Sequence, residues 1–294
     1  MKKLIRLLFI TVAAVMLLSA SGCHYLFPDG IWGDNSWDGG PTQYYTANYT
    51  PQNGYRLSVY GSCANVSVYG SSEFTTAQIE YTEPQDGKVY VNETANDINI
   101  TVRNNSEFIR LFNKEKPIDV TIYLPYNIFY IIAIEVEAGN LEVKDLDGNR
   151  LDLNTDAGNI TVAYSFFEGF EAHTEAGNIE LEAYSLNAEI STGVGDVRGR
   201  IHTDKLDVEA SVGDIILEAK GFSVNGSTLE GPSRIDIETA IGMINLLVSS
   251  DCMGDTYTIE ASAVLGSEDV EPFGYGNRRI VASTSIGSIS IYFK

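Results

Sequence analysis

The chain has 294 residues, 44% of them apolar, with 19 basic against 40 acidic side chains and a formal net charge of −21. A surface of that sign repels phosphate, which excludes nucleic acid as a partner and disfavours anionic lipid headgroups. The apolar fraction is ample for one elongated core, and only three histidines are available for acid–base chemistry.

Residues 1–22 carry Lys2, Lys3 and Arg6, an apolar run from Leu7 to Leu18, and the small residues Ser19, Ala20, Ser21 and Gly22 ahead of Cys23. This reads as a secretory signal, too short for a comfortable membrane span. Its ending, Ala20-Ser21-Gly22-Cys23, resembles the lipobox of bacterial lipoproteins, with Ala20 where Leu is commonest. That resemblance implies that Cys23 becomes the mature N-terminus and carries acyl chains, two or more of which anchor a protein stably. Cleavage removes 3 of the 19 basic residues and no acid, so 16 remain against 40 and the mature net charge is −24. Residues 23–54, with both Trp residues and many Gly, Asp, Pro and Tyr, show no sustained periodicity and read as a flexible tether. Within them Asp34, Ser36, Asp38 and Gly39 imitate the first half of a calcium loop, but Tyr45 stands where the closing Glu belongs.

Residues 55–294 read as one continuous repeat domain. Alternating apolar residues lead to a Gly, usually Gly-Asn or Gly-Asp, and two further alternating apolar residues follow. The corners are Gly139-Asn140, Gly158-Asn159, Gly177-Asn178, Gly195-Asp196, Gly213-Asp214, Gly242 and Gly287, with successive steps of 19, 19, 18, 18, 29 and 45 residues. Parity changes at each Gly: Leu151, Leu153, Thr155 and Ala157 are odd, whereas Ile160 and Val162 are even. Because side chains alternate across a strand, that switch needs one residue spent on a bend, which suits Gly. The pattern predicts an all-β fold, a single-stranded β-helix (β-solenoid) with 18–19-residue coils. Two degenerate coils precede the regular ones, with corners at Ala64-Asn65 and Asn96-Asp97, the second interrupted by Glu93. About nine coils at roughly 4.8 Å each give a rod about 40 Å long.

Residues 218–233 and 248–278 read as insertions hanging from one face, the second with a strand-like run from Tyr257 to Ala263. Cys63 lies on the first coil and Cys252 at least six coils on, roughly 30 Å away against the 7 Å limit between disulfide-linked Cα atoms, so both are expected to be free thiols. Two inner columns read as turn supports: the corner Asn and Asp residues, and Thr155, Thr174, Thr192, Thr239 and Thr284. An outward column, Asp152, Glu171, Glu189, Asp207 and Asp236, forms a potential carboxylate ladder. It is tolerable as a solvated face, and its functional readings are a stripe for cations or a basic partner or, more remotely, a carboxylate pair for sugar cleavage. His24 abuts Cys23, His173 points outward beside Glu171 and Glu175, and His202 sits in a turn near Asp204. None has a nucleophile at a recognisable spacing, and no zinc, cofactor or phosphate-loop motif is present, so no catalytic, cofactor or metal residues are assigned.

The segment Val120-Thr121-Ile122-Tyr123-Leu124-Pro125, then Ile134 to Val143 and the Gly-Asn and Gly-Asp coils, resembles the bacterial putative-adhesin (DUF4097-like) family of β-strand repeat proteins. The resemblance implies a right-handed coil on a bacterial envelope protein and carries over no catalytic residues. The expected function is a lipid-anchored, non-enzymatic scaffold of the cell envelope, at the outer membrane or the outer face of the cytoplasmic membrane. It is expected to bind a glycan, wall polymer or protein partner, besides the membrane through Cys23. An envelope sensor or assembly component with a membrane partner is the alternative, and a carbohydrate-active enzyme the remoter one.

Overall fold

The computed structural model describes residues 42–82, 87–104, 117–126, 128–221, 231–249, 257–271 and 276–294. The signal segment, Cys23, Cys252, the calcium-like run before Thr42 and parts of both insertions lie outside these residues. Every regular element among them is a β-strand. At the N-terminal end are β1 (Thr42–Thr46), β2 (Arg56–Ser71), β3 (Gln78–Thr82), β4 (Gly87–Glu93), β5 (Asp97–Asn104) and β6 (Ile118–Pro125). The regular coils use β7 (Tyr130–Ala138), β8 (Leu141–Lys144), β9 (Asp147–Ala157), β10 (Ile160–Ala176), β11 (Ile179–Val194), β12 (Val197–Val212) and β13 (Ile215–Lys220). The C-terminal end holds β14 (Arg234–Ile241), β15 (Ile244–Ser249), β16 (Tyr257–Leu265), β17 (Glu268–Val270), β18 (Arg278–Ile286) and β19 (Ile289–Phe293).

Parallel pairing stacks these strands into a solenoid, and the parity switch is where the sequence places it. Leu151, Leu153, Thr155 and Ala157 before the bend and Ile160 and Val162 after it all face the core. At the bend the Gly158 N–H donates to the Ala176 carbonyl (3.0 Å) and the Ile160 N–H to that of Asn178 (2.9 Å), so each corner is stitched to the next coil. The corners form one row, Ala64, Gly139, Gly158, Gly177, Gly195, Gly213, Gly242, Gly287 and Gly266, in which a Cβ on any of these glycines would overlap the carbonyl oxygen of its neighbour. The glycine is therefore required by close backbone approach as much as by its φ.

Both columns act between coils, the corner Asn column at the exposed edge and the Thr column in the core. Each corner Asn or Asp Oδ1 accepts the N–H of the equivalent residue one coil on: Asn140 from Asn159 and Asn159 from Asn178 at 2.9 Å, Asp196 from Asp214 at 2.8 Å. The buried hydroxyls of Thr155, Thr174 and Thr192 donate to the carbonyls of Gly139, Gly158 and Gly177. Polar groups at a tight bend are thereby satisfied without water.

The contraction of the repeat from 19 to 18 residues has a local cause. Asp145 (φ 56°) and Tyr164 (φ 49°) each occupy the left-handed region, and the β10–β11 register skips Tyr164. Each 19-residue step contains one such bulge residue, and the 18-residue steps dispense with it.

At both ends spatial order departs from chain order. Strand β2 lies between β5 and β6 on one side and β7 and β8 on the other, so the coil with its corner at Ala64 is internal. At the other end β18 and β19 sit between β14 and β15 and the later-stacked β16 and β17. The described part of residues 248–278 thus forms the terminal coil of the stack instead of hanging from its side.

Two further expectations, both at the N-terminal end, need correction. Asn96-Asp97 is the turn of an antiparallel hairpin between β4 and β5, closed by the Thr94 N–H donating to the Asp97 carbonyl (2.8 Å), and not a coil corner. Glu93 breaks the inward pattern because its carboxylate accepts from the Asn48 and Tyr49 N–H groups and the Tyr45 hydroxyl, tying down the start of the domain. Those donors outweigh the effect of burial, which by itself raises a carboxyl pKa, and hold Glu93 below the usual range. Cys63, expected to be a free thiol, is disulfide-bonded to a partner outside the described residues. The corner row keeps Gly242 six coils from Ala64, so coil spacing did not mislead; the expectation weighed Cys252 alone as a partner and set Cys23 aside.

Candidate functional site

The outward residues of the sheet before the corner are set in columns by register. Asp152 pairs with Glu171, Glu171 with Glu189, Glu189 with Asp207, and Asp207 with Asp236, so the carboxylate ladder read from the sequence exists on successive coils. Two residues earlier runs a partly basic column in which Lys205 neighbours Arg234 and Arg234 neighbours Arg279, with Arg150 further along. Arg150 donates to both Asp152 and Glu171 at 2.8 Å, and Arg234 to Asp236. Arg150 holds the first two carboxylates as acceptors of one guanidinium, an arrangement unlike the acid–base pair of a glycosidase.

Among the described residues the middle of the ladder has no such clamp. Burial, reinforced by Asp236 and then Glu189, pushes the Asp207 carboxyl up from its ordinary value. A group whose pKa is raised by folding costs stability above that pKa, and the cost disappears as pH falls below its unfolded value. Asp207→Asn is therefore expected to raise the melting temperature at pH 7 by about 1–3 °C, a fraction of a kcal/mol for an exposed group, with no gain below about pH 3. Thermal melts at the two pH values check this.

Two residues beyond the ladder, Tyr60, Glu135, Asn154, His173 and Ser191 form a column of their own. Together with Asp152, Glu171 and Glu189 they line a shallow groove of about 450 Å³. His173 points outward as expected, with its Nδ1 2.7 Å from the Ser191 hydroxyl. The groove sets Tyr60, Asn154, His173 and Ser191 among four carboxylates, those of Glu135, Asp152, Glu171 and Glu189. Among the described residues there is no cluster of metal-ligating side chains.

His202, expected in a turn, lies within β12 and stacks on Tyr184 with ring centroids 4.4 Å apart. Burial, only partly offset by a backbone hydrogen bond, holds its imidazole below the ordinary value. It belongs to an outward column missed by the sequence reading, in which Phe166, Tyr184, His202 and Lys220 are register neighbours. The signal was present, since Tyr184, His202 and Lys220 each fall seven residues after a corner glycine and Phe166 eight, one more because of the Tyr164 bulge.

Comparison with known proteins agrees with this architecture. A putative adhesin from Bacteroides fragilis shares the fold at 14% identity and TM-score 0.50, with 85% of this chain and 96% of that one covered. A putative lipid binding protein from Parabacteroides distasonis matches at 14% identity over 87% of this chain and 97% of that one, TM-score 0.41. A putative adhesin from Parabacteroides merdae matches at 14% over 86% and 95%, TM-score 0.33. No curated protein matches the chain. The family model for Toastrack DUF4097 matches residues 56–269, more than half of the chain, and the protein belongs to that family.

Proposed function

We propose that the protein is an exported, non-enzymatic binding scaffold of the cell envelope, a right-handed solenoid of 18–19-residue coils held to a membrane through lipid on Cys23. The observation that carries this reading is the stacked, in-register outer sheet, where five carboxylates recur once per coil and three of them line a groove with further hydrogen-bonding side chains, a rigid periodic surface for a partner. The fold is shared with a protein described as a putative adhesin, which is consistent with binding over catalysis. The lipobox-like ending at Cys23 supports anchoring. The partner is a glycan, a wall polymer or an envelope protein.

Anchoring is tested in cells with the full chain. The unaltered protein is expected to fractionate with membranes and incorporate labelled fatty acid, and Cys23→Ala to lose the label and leave the membrane fraction. A Cys23→Ala protein that stays membrane-bound contradicts the anchor. In-cell crosslinking then identifies the partner: capture of a regulatory membrane protein favours the sensor alternative, and cleavage by protease added to intact cells favours adhesion.

A further inference from the structure

We propose that the corner edge of the C-terminal coils is a self-association surface, occupied by a second copy of this chain lying antiparallel to the first. This goes beyond the scaffold reading and does not depend on which partner the scaffold binds. The residues before the corner glycines form one register column, with Ala138, Ala157 and Ala176 in the earlier coils, then Val194 and Val212, then Ile241, Ile286 and Leu265 toward the end of the rod. The bend does not require this growth in bulk. Gly139 and Gly158, which follow alanines, hold φ 146° and 158°, and Gly213 and Gly242, which follow Val212 and Ile241, hold 154° and 156°. The core does not require it either, since Val212, Ile241, Ile286 and Leu265 are 42%, 40%, 49% and 65% exposed, with Met243 and Val264 beside them at 50% and 73%.

Charge changes along the same edge. Glu137, Asp156 and Glu175 precede the three alanines, whereas Gly193, Ser211, Ala240, Ser285 and Val264 hold that position in the later coils. On a chain of net charge −21, an edge cleared of charge and enlarged with aliphatic side chains is shaped for contact with protein. The exposed parts of these side chains amount to about 600 Å² of apolar area, the upper end for the largest patch on a monomer. Two such edges face to face bury roughly 1,200 Å² before their flanks are counted, the area at which specific, stable interfaces begin.

The order of the column sets the orientation. A twofold axis crossing the edge between Ile241 and Ile286 places Val212 against Leu265 of the second copy and Ile241 against Ile286, so the surface is complementary to itself. The same operation keeps like flanks together. On one flank Glu209 and Glu238 then face Ser262 and Ser283, and on the other Asp214 faces Ser267, so each carboxylate meets a hydroxyl donor. The corners bearing Glu137, Asp156 and Glu175 project past opposite ends of the pair. A parallel pair would set each of those acids against itself, a like-charge contact. A bilayer of anionic headgroups would likewise meet Glu209, Glu238 and Asp214 with charge of the same sign, which leaves a second copy as the occupant that fits.

The test co-expresses two full chains in cells, one with Val212→Cys and the other with Leu265→Cys, and treats intact cells with a short bismaleimide. A crosslinked dimer well above the level given by the unaltered chain is expected, and likewise for Ile241→Cys with Ile286→Cys, whereas Asp156→Cys alone stays at that background. Adding Ile286→Glu to both chains of the first pair is expected to lower the crosslinked fraction about tenfold while leaving protease resistance unchanged, because the side chain is exposed. If that variant fails to accumulate, Met243→Glu makes the same test at the neighbouring exposed position. Absence of dimer in both pairs overturns the proposal, as does a dimer of Asp156→Cys at equal yield, which means parallel or indiscriminate contact. A crosslinked fraction that survives the Glu substitution also overturns it. So does labelling of the edge by a photoactivatable phosphatidylcholine in the absence of dimer, which makes it a lipid contact. None of these outcomes decides the scaffold reading, which is tested separately through its partner.

Discussion

Gly195→Ala is expected to destabilise the rod by about 3 kcal/mol or more, whereas Gly169→Ala, in the same sheet system, is expected to stay within about 0.5 kcal/mol of the unaltered protein. Gly195 has φ 150° and faces the Gly177 carbonyl so closely that a methyl group would overlap it. Neither neighbour can yield, because the Gly195 N–H is bonded to Val212 on the next coil and the Gly177 N–H to Val194. Opening the contact means spreading two coils and weakening the Asn178–Asp196 bond of 2.9 Å beside it. In a stacked solenoid that damage falls between nearest neighbours near the middle of the row, where it divides one cooperative unit into two. Gly169 meets nothing nearer than the Asn149 carbonyl at 3.9 Å, and Ala in a strand loses less chain entropy on folding. Urea titrations followed by circular dichroism measure both. Equal midpoints would show that the corner row does not need glycine.

The corners, their parity and the Asn and Thr columns were legible because each is set by residues within one coil. The acidic ladder was legible for the same reason, since a fixed offset from the corner determines a column. The order in which coils touch was not. Every coil presents the same kind of inward column, so periodicity places Ile235 beside Leu206 and Ile280 without stating that Ile280 is internal. Asn96-Asp97 misled because a hairpin turn and a coil corner draw on the same residue chemistry, and only the antiparallel register distinguishes them. The column of Phe166, Tyr184 and His202 stayed hidden behind a one-residue change in period whose meaning needs backbone angles. One break in the pattern does mark the open end. Glu268 stands where Ile289 stands one coil earlier in the stack, and its carboxylate accepts the Ala263 N–H at 2.8 Å. A charge in an aliphatic column that also occupies a donor of the edge strand discourages another chain from continuing the sheet.

Truncation after residue 277 is expected to cost roughly twice as much stability as excision of residues 257–271, although it removes a similar length of chain. Ordinarily the last coil of a repeat protein has one neighbour, and its loss exposes one face. Here β18 and β19 have two. On one side the Gly242 and Ile244 N–H groups donate to the Ile286 and Ser288 carbonyls, and on the other the Gly287 and Ile289 N–H groups donate to those of Leu265 and Ser267. Ile280, Ala282, Ile289 and Ile291 between them are fully buried, each isoleucine contributing about 1.5–3 kcal/mol as an upper estimate. Truncation removes both interfaces and strands β16 and β17, whose pairing among the described residues is to β18 and β19 alone. Excision removes one interface and leaves β18 against β14 and β19 against β15. The truncated protein should therefore melt well below the excised one and be cleaved by chymotrypsin within residues 257–271, where Tyr257 loses its cover. A truncated protein at least as stable as the excised one would place the C-terminal coil at the end of the rod, in chain order after all.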